Sequence, residues 1–186
     1  DIVDEYIHVR PAGKSAKDNL VTFVSDGSQR WAGGARIIKY HLDGLGCQAE
    51  LSASTRPITK TRYLDTAFNQ KVFSVCNSDH ITGMEKCPVE SSHLLIADFG
   101  HGCGILPVQG KFTSLMVQSN SLNWGFNLIT KYHQADYIVC DEAELRLACQ
   151  DRYSELTTLM VNLARRMKAR KLVVTRGHEG AILLDL

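Results

Sequence analysis

Two carboxylates lie at the ends of apolar runs in the second half of the sequence. Asp98 ends the run 93–98 and precedes a glycine-rich stretch, and Asp141 follows the run 136–140. In open α/β sheets the carboxyl ends of parallel strands face the ligand crevice, so both positions favour a binding site. Glu144 stands three residues after Asp141, and this spacing suits either the capping of a helix or the organisation of magnesium and water.

Basic residues and glycines in the first half could bind an anion or a polyol. Lys60 and Arg62 fall on one face of a predicted strand, with Thr61 on the other face. The pair suits a phosphate or an acidic sugar, or it is an exposed basic strand. Gly33 and Gly34 open a predicted helix, where backbone N–H groups and the positive helix end attract a ligand, or they form a plain tight turn.

The elements that must position these residues are those of an α/β protein. Between residues 153 and 170 the apolar positions have the spacing of one helix face. Short apolar strands alternating with amphipathic helices indicate a mainly parallel sheet. We predict its strands at 93–98, 115–118, 136–140, 171–175 and 181–186. In the first half we predict a helix over 35–45 and a small accessory sheet with strands at 20–24, 59–64 and 71–75, the last two forming a hairpin.

Composition bounds the class of protein. The chain has 186 residues, which suits one domain, and 21 basic and 20 acidic residues leave a formal charge of +1. This nearly equal number of positive and negative charges favours neither a nucleic acid nor a membrane as partner. Six cysteines are scattered without CxxC spacing, and His101 with Cys103 lacks further ligands, so we expect reduced thiols, a cytoplasmic protein and no zinc site.

Taken in order, six segments resemble the ribokinase-like (PfkB-type) carbohydrate kinases. The segments are 1–6, 31–35, 57–62, 97–102, 140–145 and 174–180, so the resemblance covers nearly the whole chain. It is closest to the branch that phosphorylates heptose 7-phosphate in ADP-heptose synthesis. The resemblance implies an α/β fold with a mainly parallel sheet flanked by helices and a small β lid, incomplete in this chain. Lid strands are expected within 6–24 and 57–76, and residues 1–6 as the first core strand.

The resemblance also implies an activity, which is the transfer of phosphate from ATP, with Mg²⁺, to a sugar or a sugar phosphate. It further implies a homodimer formed through the lid and a nucleotidyltransferase domain, fused or separate. The residues it assigns are Asp4, Gly33, Gly34, Lys60, Arg62, Asp98 and Asn120 for the substrate, Thr175, Arg176, Gly177 and Gly180 for the nucleotide, and Glu144 and Asp141 for the metal.

Four departures from the family pattern are visible. Asp141 replaces the asparagine of the N-x-x-E motif, residues 118–121 read Q-S-N-S where many relatives have D-P-K-G, and the segment 51–56 is shorter than in relatives. The G-A-G-D motif, which carries the catalytic base, is absent from the 186 residues. We therefore assign no catalytic residue in this chain and expect the base to lie outside it. Two alternatives remain, a non-catalytic sugar- or nucleotide-binding module of this fold and an unrelated Rossmann-like binding domain.

Overall fold

The computed structural model describes residues 2–53, 58–77, 91–101 and 110–186. The chain divides into two units, Asp1–Ile81 and Thr82–Leu186, and each contains one β-sheet. Among the helices of the described residues, none has the length and hydropathy needed to cross a membrane.

Pro57 and Gly102 of the family-like segments lie outside the described residues, as do Cys87 and Cys103. The four described cysteines, Cys47, Cys76, Cys140 and Cys149, are free thiols.

The first unit contains a four-stranded sheet and one helix. Along the chain the helix lies between the second and third strands. Its strands are β1 (Ile2–Lys14), β2 (Val21–Ala32), β3 (Ile58–Asp65) and β4 (Gln70–Asn77), and the helix is α1 (Gly34–Gly44). The spatial order is β2-β1-β3-β4. Strands β1 and β3 are parallel, whereas β1–β2 and β3–β4 are antiparallel. The predicted accessory sheet and its β3–β4 hairpin are therefore confirmed.

The prediction that residues 1–6 form the first strand of the core sheet is wrong. Strand β1 belongs to the first sheet, where it pairs with β2 and β3. A strand inside a parallel sheet is buried on both faces and reads as a nearly continuous apolar run. In β1 only Ile2 and Val9 are buried, and charged residues such as Asp4 and Glu5 are half-buried between them. This composition suits a sheet whose faces are only partly covered.

Strand β2 is longer than predicted, because a β-bulge next to Gly27 lets its pairing with β1 continue beyond the apolar run. The apolar run 20–24 predicts only its first part, but β2 continues through the polar residues 25–30 to Ala32. The pairing register shifts between His8 and Val9, opposite Gly27, whose φ is 136°. A bulge accommodates one extra residue and lets pairing resume. The bulge thus aligns the end of β2 with Val3 and Asp4.

The second unit contains the mainly parallel sheet. Its strands β5 (Ser91–Asp98), β6 (Gly110–Val117), β7 (Tyr137–Asp141), β8 (Lys171–Thr175) and β9 (Ala181–Asp185) lie side by side in that order. Strands β5 to β8 are parallel, and β9 is antiparallel to β8. Helices α2 (Glu142–Cys149) and α3 (Leu156–Met167) connect β7 to β8 and contact each other and the sheet. The predicted α/β architecture is confirmed.

Burial alternates along the strands of this sheet, so one of its faces forms the core. Ile138, Leu172 and Val174 are fully buried in one apolar cluster with Leu159 and Leu163 of α3. The carboxyl ends of parallel strands meet at one edge of a sheet. That edge therefore carries the ends of β5, β6, β7 and β8 and the polar segments that follow them.

Candidate functional site

Charged side chains share one face of the first sheet. In the β1–β3 pairing Asp4 lies opposite Lys60 and Tyr6 opposite Arg62, so all four side chains leave the same face. Arg62 forms an ion pair with Asp4, and its guanidinium lies 5.4 Å from the centre of the Tyr6 ring. The Arg62 and Asp4 side chains are 23% and 21% exposed. Partial burial and the aromatic ring hold the guanidinium in a defined position.

Lys60 is the part of this cluster best suited to an external anion. Its side chain is half-buried, and among the described residues no hydrogen bond or ion pair engages its ammonium group. Burial lowers the pKa of Lys60, the positive charge of Arg62 lowers it further, and Cys76 and Asp4 raise it. A half-buried ammonium without a partner is stabilised by a bound anion, because the anion replaces the hydration that burial removes.

The glycine pair meets this cluster at Asp4. Gly33 is the N-cap of α1, its N–H donates to the Ile2 carbonyl at 3.0 Å, and Gly34 begins the helix. A Cβ on Gly33 would lie 2.6 Å from Asp4 Oδ2. The glycine is therefore required for the close approach of the carboxylate. The structure brings together Asp4, Gly33, Gly34, Lys60 and Arg62, and their role in substrate binding stays a prediction.

Asp98, at the end of β5 in the second unit, is almost completely buried. The residue is 1% exposed, and its Oδ1 accepts from the Gly100 N–H at 2.8 Å. Its Oδ2 accepts from the Tyr132 hydroxyl at 2.9 Å and forms an ion pair with Lys131. Asn120 is likewise engaged, since its side chain donates to the Phe99 carbonyl at 3.0 Å. Direct contact of Asp98 or Asn120 with substrate stays a prediction and would require these partners to be exchanged.

Asp141 and Glu144 form a capping box at the start of α2. Asp141 Oδ1 accepts from the Glu144 N–H at 2.7 Å, and Glu144 Oε2 accepts from the Asp141 N–H at 3.0 Å. The other oxygen of Glu144 accepts from the Ser119 N–H at 2.8 Å. Burial raises the pKa of Glu144, and the backbone hydrogen bonds from Asp141 and Ser119 oppose the rise. The capping alternative from the sequence is thus confirmed.

The same pair fits magnesium only in a limited way. Both Glu144 oxygens accept backbone N–H groups, so the carboxylate with room for an ion is that of the exposed Asp141. Within the described ranges no group of three or more His, Cys, Asp or Glu side chains could hold a metal. Magnesium commonly takes one or two protein carboxylates and completes its coordination with water and phosphate oxygens. Asp141 fits an ion of that kind, held largely by a nucleotide.

Two substitutions at Asp141 separate its capping role from a metal role. We expect Asp141→Ala to destabilise the protein by about 1 kcal/mol, because α2 loses its N-cap. Asp141→Asn keeps a capping side chain and removes the charge, so we expect stability near that of the wild type. Urea unfolding measures both values. A magnesium-dependent nucleotide affinity that falls in the asparagine variant, at unchanged stability, would assign Asp141 to the metal, and an equal affinity would leave it a cap only.

The predicted nucleotide turn joins β8 to β9. Thr175 ends β8, residues Gly177–Glu179 form one 3₁₀ turn, and the Arg176 N–H donates to the Gly180 carbonyl at 2.7 Å. The Arg176 guanidinium pairs with Glu142 at 3.1 Å and with Glu179 at 2.5 Å. Hydrogen bonds from Arg146 and Arg176 lower the pKa of Glu142. This turn follows the same edge of the sheet as Asp98 and Asp141, and nucleotide binding by it stays a prediction.

Sequence reasoning missed a polar network behind Asp98. Its members are Asn123, Asn127, Lys131 and Tyr132, all in the connection between β6 and β7. Asparagines at 120, 123 and 127 and a lysine at 131 follow one another at intervals of three or four residues. That spacing, in a connection with few charges, is the signal that could have identified them.

Comparison with known proteins bears on the fold. No protein-family model matches the sequence, and no curated protein matches it. The structure is similar to that of ribokinase from Thermotoga maritima, with a TM-score of 0.58 and 11% identity over 98% of this chain and 71% of that one. It is also similar to phosphofructokinase-2 from Escherichia coli in complex with substrates and products, with a TM-score of 0.54 and 10% identity over 99% and 73% of the two chains. The chain therefore has a ribokinase-like α/β fold.

Proposed function

We propose that the protein is an ATP-dependent kinase that phosphorylates a sugar or a sugar phosphate of the heptose 7-phosphate type. The carrying observation is the charged cluster of the first sheet, where the ammonium of Lys60 and the guanidinium of Arg62 lie beside Asp4 and the glycine pair. The similarity to a ribokinase and to a phosphofructokinase along nearly the whole chain supports the same reaction class.

The first unit would bind the substrate. Lys60 and Arg62 would hold a phosphate already on the sugar, and the planar guanidinium can donate two parallel hydrogen bonds to it. Asp4 would accept hydrogen bonds from sugar hydroxyls, because an ionised carboxylate is an acceptor with two oxygens. Gly33 leaves room for the Asp4 carboxylate, since a side chain at this position would displace it.

The second unit would bind the nucleotide. Thr175, Arg176, Gly177 and Gly180 would border it, and Arg176 would exchange Glu142 or Glu179 for a phosphate oxygen. Asp141 would hold a magnesium ion together with the phosphates, while Glu144 fixes the start of α2 and the loop after β6. When bound, magnesium neutralises phosphate charge, and phosphoryl transfer depends mainly on such neutralisation and on positioning.

The proposal extends to location and partners. The free thiols of Cys47, Cys76, Cys140 and Cys149 support a location in the reducing cytoplasm. Apolar side chains on one face of β4 are exposed, with Phe73 at 48% and Val75 at 50%. They support a homodimer formed through this sheet, because contiguous exposed apolar residues commonly mark interfaces. A nucleotidyltransferase partner, fused or separate, rests on the family resemblance alone.

An ADP-release assay tests the function directly. The complete protein is incubated with ATP and magnesium and with a panel of sugars, sugar phosphates and nucleosides, and binding of each compound is measured in parallel. ADP release that depends on a sugar or sugar phosphate supports the kinase. Tight binding of both ligands without turnover would favour a non-catalytic binding module instead. Release that depends only on a nucleoside would overturn the proposed substrate class.

A further inference from the structure

The carboxylate of Asp98 joins the loop after β5 to the connection between β6 and β7. It accepts hydrogen bonds from Gly100 in the loop after β5, from Asn127 at 3.3 Å and from Tyr132 at 2.9 Å, and it pairs with Lys131. At 1% exposure its charge is removed from water. A buried carboxylate is tolerated only when it is paired and hydrogen-bonded, and Lys131 supplies the positive charge.

Lys131 is itself held in place by its neighbours. It ends the 3₁₀ turn Ile129–Lys131, and the adjacent Ile129 and Tyr132 are buried in the apolar core. Its ammonium also donates to Asn127 Oδ1 at 2.5 Å, and Asn127 in turn donates to Asp98 Oδ1 at 3.3 Å. Lys131, Asn127 and Asp98 therefore form a closed set of contacts. Removal of the lysine charge therefore leaves the Asp98 carboxylate and the Asn127 amide buried without a neighbouring positive charge.

This set of contacts fixes the loop that follows β6. The Gln118 N–H donates to the Asp98 carbonyl at 2.7 Å, and the Gln118 carbonyl accepts from Asn127 at 3.0 Å. The Ser119 hydroxyl donates to the Asn127 carbonyl at 3.2 Å, while its N–H donates to Glu144 at 2.8 Å. Residues 118–119 are thus bound on one side to the Asp98 cluster and on the other to the capping box of α2.

We propose that Lys131 is a positioning residue for nucleotide binding. By neutralising Asp98 it holds the loop at 118–119 and, through the Ser119–Glu144 hydrogen bond, the helix start that carries Asp141. The inference rests on the proposed function, because it takes this edge of the sheet as the nucleotide site. It assigns Asp98 a role that acts through other groups instead of through contact with sugar.

The test compares Lys131→Met with Lys131→Arg in the complete protein. Lys131→Met keeps the length of the side chain and removes its charge, whereas Lys131→Arg keeps the charge. Lys39→Met is the matched control, because Lys39 forms an exposed ion pair with Asp43 in the first unit. Affinities for ATP with magnesium and for a sugar phosphate are measured by calorimetry, and backbone hydrogen exchange is followed at Gly100 and Ser119.

In Lys131→Met we expect the affinity for ATP to fall at least tenfold, the affinity for the sugar phosphate to change less than threefold, and exchange at Ser119 to accelerate. Lys131→Arg should restore much of the ATP affinity, and Lys39→Met should change nothing. Equal losses for both ligands, or faster exchange with unchanged ATP affinity, would reduce Lys131 to a structural residue and overturn the inference.

Two further outcomes keep the test decisive. If Lys131→Met does not fold, Tyr132→Phe removes one donor to Asp98 and should show the same pattern with a smaller effect on ATP affinity, and an unchanged ATP affinity there would count against the inference. If the wild type binds no ATP, the proposed function fails by that measurement. Hydrogen exchange at the Ser119 N–H then still tests the loop contacts. An exchange rate in Lys131→Met equal to that of the wild type would show that Lys131 does not hold the loop.

Discussion

Replacing both Lys60 and Arg62 with alanine is expected to weaken binding of a sugar phosphate by about 100-fold or more, because each charge-assisted hydrogen bond to a phosphate contributes about 1.5–3 kcal/mol. The affinity for the unphosphorylated sugar should change far less, since Asp4 and the glycine pair remain. Calorimetric titration of the two ligands measures the difference. The effect should be large because both cations lie on one partly buried face of the first sheet.

The matched control carries the same loss of charge elsewhere on the same sheet. Arg10→Ala with Lys71→Ala removes two exposed cations from β1 and β4, and we expect less than a twofold change for either ligand. Equal losses for the phosphorylated and unphosphorylated sugar in the Lys60 and Arg62 variant would contradict a phosphate-binding role.

The pH dependence of the same binding step identifies Lys60. Burial lowers the pKa of its ammonium from the ordinary value of 10.5, and only the protonated form attracts an anion. Affinity for the sugar phosphate should therefore fall as pH rises through this lowered pKa, which lies below 10.5. In Lys60→Arg the fall should disappear from this range, because a guanidinium stays protonated. An identical profile in both proteins would show that another group controls the dependence.

Gly100→Ala is expected to lower the free energy of unfolding by about 2–4 kcal/mol. Gly100 has a φ of 70°, and an added Cβ would overlap the amide of Asn123, which donates to the Gly100 carbonyl at 2.9 Å. Alanine would therefore combine backbone strain with loss of the hydrogen bond that joins the loops after β5 and β6. Urea unfolding of the two proteins measures the change.

Gly125→Ala is the control that separates backbone strain from steric overlap of the added Cβ. Gly125 has a φ of 80° in the same β6–β7 connection, but a Cβ there would meet no atom within 4 Å. We expect only the cost of the left-handed conformation, about 1–2 kcal/mol. If the two variants lost the same stability, the contact between Gly100 and Asn123 would contribute nothing. The Gly100 variant should also show faster exchange at Ser119, since it disturbs the same loop.

Local patterns in the sequence predicted most of the secondary structure. The helix spacing of Leu156, Leu159 and Leu163 and the apolar runs before Asp98 and Asp141 correspond to α3, β5 and β7. The three-residue spacing of Asp141 and Glu144 suggested the capping box that the structure confirms. These features depend on residues close together in the chain. Their periodicity and spacing can therefore be recognised from the sequence without knowledge of the tertiary structure.

Pairings between distant residues could not be predicted in this way. Strand β1 was expected in the core sheet, but its half-buried charges and its pairing with β2 and β3 place it in the other sheet. The end of an apolar strand and the family resemblance predict Asp98 as a substrate-binding residue, and nothing near it in sequence indicates that Lys131 and Tyr132 cover its carboxylate. The same holds for Gly33, whose contact with Asp4 depends on the first sheet.

The amino-acid sequence by itself determined the α/β class, the strand ends that carry Asp98, Asp141 and Thr175, and the face of β3 that carries Lys60 and Arg62, because side-chain periodicity is a local property of the backbone. Only the tertiary structure decided which charged groups are free to meet a ligand. Burial and hydrogen-bond partners arise from segments distant in sequence, and they enclose Asp98 and Glu144 while leaving Lys60 and Asp141 open to one.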